Sequence, residues 1–345
     1  MRFRLLLLLL PVLLGACSKT NAPVQLDLIG ATGLTSGSRT VSPSDTLTTR
    51  AYAVGNSDSL RHLRIVVTYS PGLEPISYPT PISSFNPDNA PPAQEVVYLD
   101  SLIKPAYKGN NPPPGGEYLF NNSFSTRTTS GTELWQYTVT DRKGESASRA
   151  YRLTVRQPDS ALVYHRYTAL LRPVPRNRAV ADSIRAVRRV YLDLRTGLLL
   201  PKHAVLSLEP SVQPSMRENQ ALVDLIALSP DGNSVSLSSP NDTRVLVLDA
   251  GRWPNRRTTL LKSTRLTDTD FNNAATPAAF ATAFTNGANF SPNTTNTGPL
   301  VKNQVIAFQV KDDDGATYSG LLLVSNLVLG TSPTVTCIVK VQKVP

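Results

Sequence analysis

Apolar and polar positions alternate with period two in short runs along most of this chain, and Gly, Pro, Asn, Asp and Ser separate the runs. That grammar predicts β-strands joined by turns rather than helices. LRHLRIVVTY (60–69) and VVYLDSLI (96–103) read as strands, with a Pro-rich stretch (70–94) between them that is unsuited to a central strand. KGNNPPPGG (108–116) reads as a second loop. The clearest hairpin is ELWQYTVTDRKGESASRAYRLTVRQ (133–157), in which Tyr137 and Val139 alternate into Asp-Arg-Lys-Gly and Tyr151, Leu153 and Val155 alternate out of it. Gln157-Pro158-Asp159 ends that strand and marks a domain boundary.

The same pattern continues to the C-terminus. RRVYLDLRTGLLL (188–200) reads as strand, Thr-Gly turn and strand. Pro230-Asp231-Gly232 centres a hairpin, because Pro presets φ and Gly accepts a positive one. VIAFQVKDDDGATYSGLLLV (305–324) is a further strand pair, and Val335, Cys337, Val339 and Val341 share one strand face. One short helix is expected over 276–288, with Thr276 as N-cap, Pro277 in the first turn and Gly287 at the end. The fold expectation is all-β: a β-sandwich over 24–157, then a second β-sandwich or barrel-like domain over 160–345 carrying one short helix. The chain length suits two domains.

The first residues break this grammar. Arg2 and Arg4 precede an apolar run, Leu5–Leu14, that is too short to span a bilayer but has signal-peptide length. Leu14-Gly15-Ala16-Cys17 follows, and it resembles the lipobox of bacterial lipoproteins. The resemblance implies a signal peptide over 1–16, a lipid on Cys17, and a tether over 17–23. Two or more acyl chains make a stable anchor. With Cys17 lipidated, Cys337 has no partner, so no disulfide framework is expected, and Cys337 reads as a buried strand residue.

Charge narrows the partners. The chain carries 35 Lys and Arg against 25 Asp and Glu. Between Arg142 and Lys202 there are fourteen basic and four acidic residues. A basic surface suits nucleic acid, but an export signal argues against it, and anionic glycans, lipid headgroups or lipopolysaccharide are the natural alternatives. Arg252-Trp253-Pro254-Asn255-Arg256-Arg257 is the candidate site: an exposed Trp253 would stack on sugars, with Arg252, Arg256 and Arg257 pairing with anionic groups.

Catalytic and metal chemistry find little support. His62, His165 and His203 lie in no HExxH motif, and no Ser lies in GxSxG. Asp224, Asp249 and Glu218 could serve a hydrolase, but no motif pairs them. Asp312-Asp313-Asp314-Gly315 resembles the start of a calcium loop, yet Leu323 and Val324 stand where the bidentate Glu would be, so a hairpin turn is expected. No catalytic residue, metal or cofactor is expected.

The hairpin WQYTVTDRKGESASRAYRLTV and the earlier TLTTRAYAVGNSDSLRHLRIVVTY resemble strands of Ig-like modules in exported bacterial proteins, over about residues 24–157. VIAFQVKDDDGATYSGLLLVSNL resembles a β-rich module that follows Ig-like modules in Bacteroidota outer-membrane lipoproteins. Asp-Ser/Thr-apolar triplets at Thr46, Ser59, Ser101, Ser160 and Ser183 resemble that group's O-glycosylation acceptors. The resemblance implies a non-catalytic, periplasm-facing outer-membrane lipoprotein that presents a binding surface. The alternatives are a glycan-capture accessory of nutrient uptake and, in a different class, a hydrolase.

Overall fold

The computed structural model describes residues 22–71, 93–103, 115–156, 164–175, 182–206, 213–242, 253–254, 256–291, 294–311 and 315–342. Its first part comprises β1 (Val24–Leu28), β2 (Arg39–Val41), β3 (Thr46–Gly55), β4 (Leu60–Pro71), β5 (Gln94–Leu102), β6 (Gly116–Ser125), β7 (Gly131–Asp141) and β8 (Ser146–Val155). They form a three-stranded sheet, β1-β3-β6, facing a five-stranded sheet, β2-β8-β7-β4-β5. Short β2 pairs parallel to β8, and the other pairings are antiparallel.

Period-two patterning explains the sandwich. Ile65 and Val67 on β4, Trp135, Tyr137 and Val139 on β7, and Tyr151 and Leu153 on β8 point inward to Leu47, Ala51 and Phe124. Burying each such side chain contributes about 1.5–3 kcal/mol. Phe124 and Trp135 meet with ring centroids 3.8 Å apart. Where polar atoms enter this core they find partners across it: Thr49 Oγ1 with the Tyr151 hydroxyl at 2.6 Å, and Asn122 Nδ2 donating to the Tyr137 oxygen at 2.9 Å. The β7–β8 turn is built by Asp141, whose Oδ1 accepts the N–H groups of Lys143 and Glu145, each at 2.9 Å. Gly144 closes that turn at φ 90°, where a side chain would be strained.

The second part comprises β9 (Tyr164–Leu171), α1 (Asp182–Val187), β10 (Arg189–Leu192), β11 (Leu199–Pro201), α2 (Lys202–Val205), α3 (Gln213–Ala221), β12 (Leu225–Leu228), β13 (Ser236–Ser238), β14 (Thr258–Ser263), α4 (Asp268–Asn273), α5 (Pro277–Asn286), β15 (Ala288–Asn289), β16 (Val305–Lys311), β17 (Thr317–Val328) and β18 (Thr334–Gln342). A four-stranded sheet, β11-β10-β12-β13, packs on a six-stranded sheet, β15-β14-β16-β17-β18-β9. The fold is all-β, and no sheet closes into a barrel among the described residues. The expected helix is α5, with Thr276 Oγ1 accepting the Ala279 N–H at 3.2 Å and Gly287 as its C-cap.

The expectation of a single helix is corrected: α1 to α4 are present as well. α1, α2 and α4 are six residues or fewer, too short to show a helical period, and α3 is predominantly polar. One signal was available. Thr267 and Asp270 form a capping box at the start of α4.

Both helices that follow β14 cover the outer face of the large sheet, placing Phe271 and Phe280 against Val305, Ala307, Leu321 and Leu323. β17 is therefore buried on both faces, which accounts for its unbroken apolar run Leu321–Val324. Gly320 lies opposite Phe308 on β16, whose ring would collide with any Cβ there.

The four-stranded sheet is likewise covered twice. Leu192 and Leu225 face the large sheet, whereas Tyr191 and Ile226 join a core cluster continuous with that of the first sandwich. Polar bonds reinforce this junction. Asn219 Nδ2 donates to the carbonyls of Val97 and Ala204, both at 2.7 Å, and Thr128 Oγ1 donates to the Gly197 carbonyl at 2.9 Å. Residues 157–163, where sequence places the domain boundary, lie outside the described residues.

Strand direction separates two ends of the first sandwich. Val24, Gly55 and Gly116 align at one end, and Thr46 and Ser125 pair at the other. Ala22 and Pro23 are held at the first end, where Asn56 Nδ2 donates to the Ala22 carbonyl at 2.7 Å and the Asn56 N–H to the Pro23 carbonyl at 2.8 Å. At the opposite end, Ser44, Ser125, Thr128 and Thr129 bond to Thr168, Arg189, Gly197 and Thr196 of the second part.

Candidate functional site

The segment expected to offer an aromatic, basic platform folds inward. Trp253 is 4% exposed and packs against Tyr191, with ring centroids 5.8 Å apart. This corrects the expectation of an exposed indole: the ring completes the core between the four-stranded sheet and the first sandwich, so no face is left for stacking on a sugar. Arg257 is 6% exposed, and its Nη1 donates to Asp224 Oδ1 at 3.4 Å. Arg256 is exposed, and Arg252 lies outside the described residues. Burial turns Trp253 and Arg257 away from the surface on which Arg256 stands, so the three do not share one exposed face.

Asp224 is the centre of this buried polar group. Its Oδ2 accepts the Leu194 N–H at 2.7 Å, and its carbonyl accepts the Thr259 hydroxyl at 2.8 Å. Burial, and then the neighbouring Asp193, push its pKa up to about 7 against the opposing pull of Arg257. Asp193 holds the β10–β11 turn, with Oδ1 accepting the N–H groups of Arg195 at 2.9 Å and Thr196 at 3.3 Å. Arg195 lies over the Tyr318 ring at 5.1 Å. These groups tie β10, β12 and β14 together; Asp193, Asp224, Arg257 and Thr259 are buried, and Arg195 is half-buried. Glu218 is exposed on α3, and Asp249 lies outside the described residues.

His62 Nε2 and Asp100 Oδ1 are in close hydrogen-bond contact, and Asp100 Oδ2 accepts the Ser215 hydroxyl at 3.3 Å. A hydrolytic triad needs the imidazole between hydroxyl and carboxylate. Here the carboxylate is in the middle, so the imidazole does not contact the hydroxyl. What the trio does is pin α3 to β5 and β4. His203 is half-buried on α2 and half-buried His165 lies on β9.

Among the described residues no group of three or more His, Cys, Asp or Glu side chains could hold a metal ion. Asp312–Asp314 lie outside them, between antiparallel β16 and β17. Cys337 is fully buried on β18, and burial pushes its thiol up to about 12. No described helix is long and apolar enough to cross a membrane.

The modification candidates are dispersed. Thr46 is exposed at the start of β3, with its hydroxyl 3.3 Å from that of Ser125. Ser59 is buried, which leaves a bulky glycan no room there, and its N–H donates to Asp58 Oδ1 at 2.7 Å in a turn. Ser101 is half-buried on β5, and Ser183 lies in α1. Ser160 and Cys17 lie outside the described residues.

A shallow open groove of about 490 Å³ runs beside β8, lined by Ser38, Arg39, Ala150, Arg152 and Thr154. The strand edge there is blunted. Ser38 Oγ accepts the Arg152 N–H at 3.0 Å, and Arg149 reaches both its neighbour's carbonyl at Ser148 and Asp27 on β1, each at 3.3 Å.

Lys340 reads in the sequence as a position on the polar face of the plain alternating strand β18, and the structure buries it. Its ammonium donates to the carbonyls of Phe271, Asn272 and Ala274 at 2.7, 3.0 and 2.8 Å, capping the C-terminal end of α4. The aromatic faces of Phe271 and Tyr164 flank it at 4.9 and 5.1 Å.

No protein-family model matches the chain, and no curated protein does. A solved structure described as a DUF4466 family protein from Parabacteroides merdae is similar with a TM-score of 0.33 and 13% identity, over 94% of this chain and 99% of that one.

Proposed function

We propose that the chain is a lipid-anchored protein of the bacterial outer membrane, facing the periplasm, whose folded body is a non-catalytic scaffold presenting a binding surface. In this reading Cys17 carries the lipid, the first sandwich is a spacer, and the second part is displayed away from the bilayer. The observation that carries it is the position of the chain's entry. Ala22 and Pro23 enter at one end of the first sandwich, and the second part is held from the far end and along the β5 edge. Strand order supports an Ig-like module. The first edge is shared between sheets, β1 pairing with β3 in one and β2 with β8 in the other, as when a leading strand switches sheets around β8-β7-β4. A scaffold role is supported by what the polar side chains do: Asp224, Arg257, Asp100, Ser215 and Lys340 all bond within the fold.

The test is Cys17→Ala with fractionation and labelling by a palmitate analogue. The variant is expected to lose label and leave the membrane pellet. Retention in the pellet at high salt would refute the anchor.

A further inference from the structure

We infer that the end of the first sandwich bearing the β7–β8 turn is a membrane-contact surface, in which Arg142 and Lys143 pair with the phosphates of anionic phospholipid headgroups. This rests on the lipid-anchor reading above. Three observations place the surface. First, the tether's exit and the turn are neighbours: the Ser57 N–H donates to the Pro23 carbonyl at 3.4 Å, the Ser57 hydroxyl to Asp141 Oδ2 at 3.5 Å, and the Arg142 N–H to the Ser59 carbonyl at 3.1 Å. Second, the chain outside the structure is short there. Four residues lie between Cys17 and the fixed Ala22, five Cα-to-Cα steps with a reach of roughly 17 Å when fully extended. A lipid on Cys17 therefore brings this end against the headgroups. Third, the turn is closed by hydrogen bonds and leaves its charges exposed. Asp141 and Gly144 shape it, while Arg142 and Lys143 at its tip are exposed, and exposed Arg61 follows the adjacent loop.

Glu145 and Glu117 are exposed at the same end, so the surface is mixed and its contact is held by the tether as much as by charge. Each cation near an anionic bilayer strengthens association by about fivefold. Within an anchored molecule that gain acts on orientation rather than on capture, because the tether keeps the turn at high local concentration.

The experiment uses the full lipidated chain in vesicles. Cys337 is buried, so a single added cysteine can be labelled selectively. A fluorophore is placed at Ser146→Cys, beside the turn, or at Ser42→Cys, at the other end of the sandwich and roughly 30 Å away along β3. Headgroup spin-labelled lipid should quench the first probe severalfold more than the second in anionic vesicles. Zwitterionic vesicles, 1 M salt, or Arg142→Gln with Lys143→Gln should narrow that difference. Equal quenching of both probes overturns the orientation. A difference indifferent to lipid charge, salt and the double substitution overturns the pairing with phosphates while leaving the tether geometry. A chain that does not partition into vesicles overturns the anchor itself.

Discussion

His203 on α2 meets Tyr98 on β5 edge to face, with ring centroids 5.3 Å apart and planes at 78°. Tyr98 in turn contacts Trp135 at 4.9 Å, so one row of rings runs from the second part into the core of the first. The residue is half-buried with its Nε2 enclosed, and its Nδ1 lies 3.1 Å from the Ala186 carbonyl. Burial lowers its pKa from 6.5 to about 4. The unfolded chain therefore binds this proton first as pH falls. The histidine's contribution is complete above about pH 6.5, declines through the window to about pH 4, and amounts to roughly 3 kcal/mol.

Asp224 works in the opposite sense. Its raised pKa of about 7 means that its contribution falls as pH rises from about 4 towards 7. The wild-type stability curve is the sum of both, so the histidine is isolated by difference. Urea midpoints for wild type and His203→Gln, taken at pH 7.5 and pH 4, should show the variant losing less stability on acidification. Parallel losses in the two proteins would contradict a neutral imidazole.

The junction should unfold with the rest of the chain. Asn219 supplies two hydrogen bonds from one amide, joining β5 to α2 through α3. Asn219→Ala leaves two buried carbonyls without that donor, a cost of about 2–3 kcal/mol. Calorimetry should show one cooperative transition in the wild type, shifted downward in the variant. Two resolved transitions in the wild type would mean that the shared core does not couple the halves.

Trp253→Ala should act as a core truncation and cost about 3–5 kcal/mol, whereas exposed Arg256→Ala should change stability by under about 0.5 kcal/mol. Chemical denaturation of both variants decides this. An unchanged midpoint for Trp253→Ala would return the indole to the surface and revive glycan stacking at this position.

Lys340→Met retains the stem but removes the three hydrogen bonds that close α4. The ammonium is cationic at neutral pH even though burial, with Arg166 nearby, lowers its pKa to about 8. A loss of roughly 3 kcal/mol is expected, read from a urea midpoint, with faster hydrogen exchange across 268–274 than elsewhere. Uniform exchange in wild type and variant would show that the cap is dispensable.

Local chemistry was legible in the sequence wherever its cause was local. Period-two alternation placed the β7–β8 strands, and Asp141 with Gly144 placed their turn, because both signals act within a few residues. Thr276, Pro277 and Gly287 bounded α5 for the same reason. The all-β class followed from many such short signals agreeing. The Thr267–Asp270 box was equally local but sat in a segment too short to show a helical period.

The direction in which a side chain points between sheets has no local signature. Trp253 and Arg257 read as a surface platform, since an indole among arginines has the same sequence whether it meets a sugar or Tyr191. Their burial depends on Asp224 and Tyr191, about thirty and sixty residues away, and on a four-stranded sheet covered on both faces. Lys340 is the converse case: a polar strand position became a buried cap only because α4 folds over β18 and presents three unpaired carbonyls. Sequence by itself determined the strand grammar, the turns, the best helix and the all-β class. Tertiary structure decided which polar groups are consumed inside and which remain at the surface, because burial is set by long-range packing that no short window contains.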